Sequence, residues 1–171
     1  MPHQLDITAL TKTAFAPFGD VIETDGAERL IINEGTTERF HNLAGIDVSA
    51  DGGVPIISIF QGQSRHQNGS GPIEIKMMER HPLGSQAFIP LHDSPYLVVV
   101  APIQDAVGPE DLHAFLADGA QGVNYRRNLW HHPLLALEDG HRFLVIDRDG
   151  PGDNCVEHHF TSEQGNALVL V

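Results

Sequence analysis

Apolar and polar residues alternate along this chain in short bursts separated by turn signals. Runs with strand character fall at 30–33, 38–43, 55–61, 72–81, 86–90, 96–102, 122–126 and 142–148. Between them lie turn formers such as Asp51-Gly52-Gly53, Asn68-Gly69-Ser70-Gly71, His92-Asp93-Ser94-Pro95 and Asp139-Gly140. A turn every 8–12 residues or so is the rhythm of an all-β sandwich or barrel, too dense for alternating βαβ units. One segment breaks the alternation. Over 109–118, Leu112, Phe115 and Leu116 follow helical spacing behind Pro109, Glu110 and Asp111, and Gly119 can terminate the element. A helix is predicted there as a lid or flank, and a shorter one near 11–17. The run Tyr96-Leu97-Val98-Val99-Val100 fits a strand covered on both faces or an interface strand. No repeat or linker divides the chain, so a single domain over 1–171 is expected.

The stretch from Ile73 to Phe88 carries the most chemistry. Read as one strand, it puts Ile73, Ile75, Met77, Glu79 and His81 on one side. Three apolar residues thus lead into a carboxylate and an imidazole on the core-facing side. After the Pro82-Leu83-Gly84 turn, the next strand opens with the polar Gln86. Polar groups in a core must be paired, so an inward Glu-x-His marks either a structural hydrogen-bonded pair or a site inside a barrel.

Three further clusters bear on that site. In Trp130-His131-His132-Pro133, adjacent histidines on a strand point to opposite faces, so at most one joins Glu79 and His81. Pro133 favours an extended His132, which makes His132 the preferred inward residue over His131. In Glu38-Arg39-Phe40-His41, Arg39 and His41 share a face, either solvated or lining the lumen as a carboxylate clamp. Arg148 shares a face with Leu144 and Ile146, where its guanidinium ends an apolar face or joins a rim ion pair. Cys155 is read as a buried structural thiol. His158 and His159, as strand neighbours, cannot chelate together.

Composition narrows the partners. The formal charge of −13 disfavours nucleic acid and anionic membranes, which reward basic faces. Of ten basic residues, Lys12 and Lys76 are the only lysines; the rest are arginine, suited to two-pronged carboxylate recognition. Eleven histidines supply acid–base groups and metal ligands. A single cysteine excludes an internal disulfide and, with no signal-peptide pattern at the start, points to the cytoplasm. Phosphate-cradling glycine loops, a Gly-x-Ser-x-Gly elbow and paired Cys-x-x-Cys are absent.

These clusters, in this order, resemble the ureidoglycolate lyase family. The likeness runs from Ala14-Phe15-Ala16-Pro17-Phe18-Gly19-Asp20-Val21-Ile22-Glu23 to Ile146-Asp147-Arg148. Its most specific blocks are 79–90, 122–125 and 128–133. The resemblance implies a mainly β, cupin-like (jelly-roll) barrel with one or two short flanking helices. It also implies a homodimer and a divalent metal, nickel being the ion named for the family. Set beside a typical metal cupin, Glu79-x-His81, Gln86 and His132 occupy the ligand positions with two ligand types changed. Glu, His and Gln can still hold Ni²⁺, Mn²⁺ or Zn²⁺.

The implied reaction splits (S)-ureidoglycolate into glyoxylate and urea, a step of allantoin (purine) catabolism. A carbinolamine collapses when its hydroxyl loses a proton and its nitrogen gains one. Glu79 or His132 is expected to be the base and His81 or His132 the acid, with Arg39, Arg148 and Gln86 binding substrate. A metal on Glu79, His81, Gln86 and His132 would replace the separate base. Two other functions fit the residues: another metal-dependent cupin enzyme on a small oxo- or hydroxy-acid, or a non-catalytic barrel that binds a small acid.

Overall fold

A computed structural model describes residues 2–171 and, at Asn68, the backbone. The fold is mainly β and built in three layers. The central sheet runs Val156–His159, Met77–Arg80, Trp130–His131, Tyr96–Ala101, His113–Ala117, Ile7–Ala9, with Leu135–Ala136 also pairing onto Tyr96–Ala101. The facing sheet runs Gly19–Ile22, Gly122–Tyr125, Gln86–Pro90, His141–Asp149, Val54–Gly62. A three-stranded outer sheet joins His3–Leu5, Ala167–Val169 and Ile73–Ile75, and Glu28–Ile32 forms a separate hairpin with Thr37–His41.

Strand alternation explains how one central strand serves two cores. Tyr96, Val98 and Val100 meet Phe88, Val123, Tyr125, Phe143 and Val145 of the facing sheet, with Phe15 and Phe18 closing one end. Leu97, Val99 and Ala101 turn the other way, against Leu5, Ile73, Ile75, Ala167 and Val169 of the outer layer. Tyr96–Ala101 is therefore the strand covered on both faces. Each large side chain so buried contributes about 1.5–3 kcal/mol, which fixes this strand as the axis on which the site is hung.

Two expectations are corrected. No helix spans 109–118: a single 3₁₀ turn, Pro109–Asp111, leads into the strand His113–Ala117. Asp111 ties that turn by accepting from the Gly108 backbone N–H at 2.8 Å. Phe115 enters one core and Ala114 the other, so a strand buried on both faces had imitated a helical stripe. The strand expected over 72–81 breaks at Lys76 into Ile73–Ile75 and Met77–Arg80, which lie in different sheets. Ile73 and Ile75 consequently pack with Met78, not on the side of Met77 and Glu79. The short helix near 11–17 is present as Lys12–Phe15, with the Thr11 hydroxyl accepting from Ala14 N–H at 3.1 Å. Among the described residues no helix is long and apolar enough to cross a membrane.

Candidate active site

Glu79 stands in the middle of three neighbouring strands, directly paired with His131 on one side and Glu157 on the other. Its Oε1 lies 3.4 Å from His131 Nε2 and 3.9 Å from His81 Nε2. The two imidazole centroids are 5.0 Å apart, and Tyr125 stacks on His131 at 4.4 Å with 20° between planes. That stack wedges the His131 ring between the two sheets. Strand register brings His131 to Glu79, while His81 arrives from the same run, two residues on.

Both rings are held from behind. His81 Nδ1 donates to the Asn154 carbonyl at 2.7 Å, and His131 Nδ1 donates to the Leu129 carbonyl at 3.1 Å. In a neutral imidazole this assignment leaves Nε2 as a bare lone pair. Both Nε2 atoms are buried without a hydrogen-bond partner among the described residues. Burial lowers the His131 pKa, a shift that the nearby Glu79 carboxylate offsets only in part. Burial alone would raise the Glu79 pKa, but the close approach and charge of His131, with His81 and His132 adding to it, hold the carboxyl below its usual range. The lowered pKa values of both groups favour a neutral His131 beside an ionised Glu79.

Acceptors that converge without a donor call for a cation or a shared proton. Ligand atoms of Glu79, His81 and His131 all lie within 4.8 Å of one another, so the donor set fits a divalent ion. The carbonyl-anchored Nδ1 atoms are the outer support that metal-bound imidazoles need. Gln86 sits opposite, on the facing sheet in register with Tyr125. It shares a strand face with the core residue Phe88, and its Oε1 is buried with no hydrogen-bond partner among the described residues.

The expected His132 does not join the trio. Trp130–His131 ends the strand, and alternation sends Trp130 into the outer core and His131 inward. His132 follows the strand, its backbone N–H donating to Val99 and its Nδ1 to the Pro133 carbonyl at 2.8 Å. Burial is the main reason its pKa falls to about 4.

Among the described residues neither expected arginine forms an ion pair with Glu79, whose pairs are with His81 and His131. Arg148 does share a face with Leu144 and Ile146, but that face is turned away from the core of Phe143 and Val145, and there loops around Gly53 and Gly84 bury it. Its guanidinium donates to the carbonyls of Ala50 and Pro151, both at 2.8 Å, and so ties surface loops together. Arg39 is exposed on the separate hairpin, paired with Leu30.

A cavity of about 420 Å³ opens beside Glu79, lined also by Phe60, Phe88, Pro133 and the segment Gln61–Arg65. Arg65 lies in a polar loop without periodicity, so no sequence signal singled it out. Cys155 is exposed, not buried, and its thiol lies with Glu157 within 4.8 Å of the Glu79 carboxylate.

Fold and site define a β-sandwich enzyme with a cation-ready carboxylate–imidazole centre at the mouth of its core. The sequence profile described as ureidoglycolate lyase matches residues 2–166, and the chain belongs to that family. It is 53% identical over 160 residues to ureidoglycolate lyase of Pseudomonas putida (strain W619), covering 94% of this chain and 93% of that one. It is 53% identical over 166 residues to that of Pseudomonas syringae pv. tomato, covering 97% and 94%. With ureidoglycolate lyase of Azotobacter vinelandii the identity is 52% over 160 residues, covering 94% of each chain.

Proposed function

We propose that this protein cleaves (S)-ureidoglycolate to glyoxylate and urea, in the breakdown of allantoin. The observation that carries this reading is the convergence of Glu79 Oε1 with the Nε2 atoms of His81 and His131 beside a cavity, in a chain of this family.

The reaction needs one proton moved and one C–N bond broken. The Glu79 carboxylate takes the proton of the carbinol hydroxyl. The electron pair of that O–H bond becomes the second bond of the glyoxylate carbonyl, and the C–N pair leaves with the ureido nitrogen. The same proton reaches that nitrogen through an imidazole Nε2, completing urea. No net proton is gained or lost, which suits a carboxylate with two imidazoles within 3.9 Å. His131 takes the place that the sequence reading gave to His132.

Glu79, His81 and His131, with Gln86 as a fourth donor, are the residues that would hold a divalent ion, nickel being the one we favour. Such an ion would supply Lewis-acid stabilisation of negative charge on the substrate oxygen. It would draw on the same atoms as the proton relay, so the two roles trade against each other.

We further propose that the chain pairs as a homodimer in the cytoplasm. The outer face of the facing sheet supports this reading. Ile57 and Ile59 sit there, 70% and 47% exposed, in register with Ile146 and Leu144 on an edge strand.

The test is to follow urea and glyoxylate from ureidoglycolate, with and without chelator. Equal amounts of both products, with turnover lost on chelation and restored by nickel, is the expected result. No product under any metal condition would refute the reading.

A further inference from the structure

The geometry points to Arg65 as the residue that grips the substrate's carboxylate. The inference rests on the lyase reading above and supplies the cation that neither Arg39 nor Arg148 provides. Among the residues lining the cavity, Arg65 and Glu79 are the two that carry charge. A ureidoglycolate held by its carboxylate at Arg65 would therefore place the adjacent carbinol carbon, with its hydroxyl, between Arg65 and Glu79.

Apart from Arg142 and the exposed Arg39 of the separate hairpin, the other basic side chains are engaged elsewhere. Arg29 pairs with Glu38, and Arg127 pairs with Asp47 at 2.7 Å. Arg80 donates to the Gln104 carbonyl and lies over the Trp130 ring at 4.5 Å. Arg126 reaches the Pro17 carbonyl, and Arg148 is spent on Ala50 and Pro151. Arg142 pairs in register with Gln61 on the outer side of the facing sheet, two residues from Leu144. Lys12 and Lys76 are paired with Glu23 and Glu74. Among the described residues Arg65 has no such partner, and it is exposed to incoming ligand.

The loop that carries Arg65 is anchored on both sides of it. Ser64 N–H donates to Asp139 at 2.9 Å, and Gly140 N–H donates to the Gly62 carbonyl at 2.9 Å. His66 follows, its N–H on the Ser64 hydroxyl and its Nδ1 on the Gly71 carbonyl at 2.9 Å. A side chain at Gly62 would meet Ala136 Cβ at 2.9 Å, so the strand end is pressed against the 134–136 segment. A chain with formal charge −13 repels a small organic anion at long range, so a local cation is what makes entry favourable. A guanidinium suits that task through paired, charge-assisted hydrogen bonds.

The test compares wild type with Arg65→Gln, Arg65→Lys and Arg65→Ala at matched metal content. Ureidoglycolate turnover and calorimetric binding of glyoxylate are both measured. The expected result is a loss of about 10- to 150-fold in glyoxylate affinity and in kcat/KM for Arg65→Gln, the range for a charged hydrogen bond. Arg65→Lys falls between, melting temperature is unchanged, and added guanidinium partly restores Arg65→Ala. Values within two-fold of wild type for Arg65→Gln would overturn the proposal, as would a wild type that does not bind glyoxylate. If wild type binds glyoxylate through Arg65 yet releases no urea, the clamp stands and the lyase reading falls.

Discussion

His131 presents a bare Nε2 to Glu79 at 3.4 Å because its other nitrogen is already committed to the Leu129 carbonyl. That arrangement makes His131, and not its neighbour His132, the imidazole that completes the centre. His131→Asn should lower kcat/KM by roughly 10²–10⁴-fold, the range for a positioned proton-transfer group. It should also lose metal, read by elemental analysis of the purified protein. His132→Asn should keep metal content and most of the activity.

Asn154 supports His81 at one remove. Its side-chain oxygen accepts from Leu83 N–H at 2.8 Å, and its backbone carbonyl fixes the His81 Nδ1 at 2.7 Å. Asn154→Ala releases the first bond and loosens the second. Metal affinity should fall by about 10- to 100-fold, the usual effect of removing an outer support. A competition assay with a chromogenic chelator reads that change.

Acid should destabilise the fold through its buried histidines. Burial lowers the pKa of His131 and His132, the latter to about 4, and lowers that of the half-buried His92, which stacks on His141 at 4.0 Å. A histidine with a depressed folded pKa binds its proton more readily once unfolded. Stability is therefore full above an unfolded pKa of about 6.5 and is lost as pH falls towards the folded value. For His132 the whole window is worth roughly 3 kcal/mol. Melting temperature should stay level from pH 8 to 7 and fall steadily from pH 6.5 to 4.5.

Ile57 lies 70% exposed beside Ile146 on the face proposed for self-association. Ile57→Lys would place a charge in that contact. Light scattering behind size exclusion should show a dimer for wild type and a monomer for the variant. The variant's melting temperature should become independent of protein concentration.

Local pattern reaches some of this architecture and fails where pairing between distant segments decides. Glu79 and His81 were legible because alternation within one short run places them together. The break at Lys76 was not, since Ile73–Ile75 leaves for another sheet only because Ala167–Val169 is there to receive it. Likewise 109–118 reads as helical until Tyr96–Ala101 and Ile7–Ala9 cover both faces of His113–Ala117. The choice between His131 and His132 hangs on a single register pair with Glu79, 52 positions away, which no local propensity encodes. Arg148 was placed on the correct strand face, but which face is inner depends on Phe143 and Val145 winning the core.

Replacing Glu79 by Gln tests the central claim most directly, since it keeps size and removes the charge that both imidazoles face. With saturating ureidoglycolate and nickel, urea release by Glu79→Gln should fall by at least about 10²-fold while the protein stays folded. A variant that releases urea within two-fold of the wild-type rate would contradict the account.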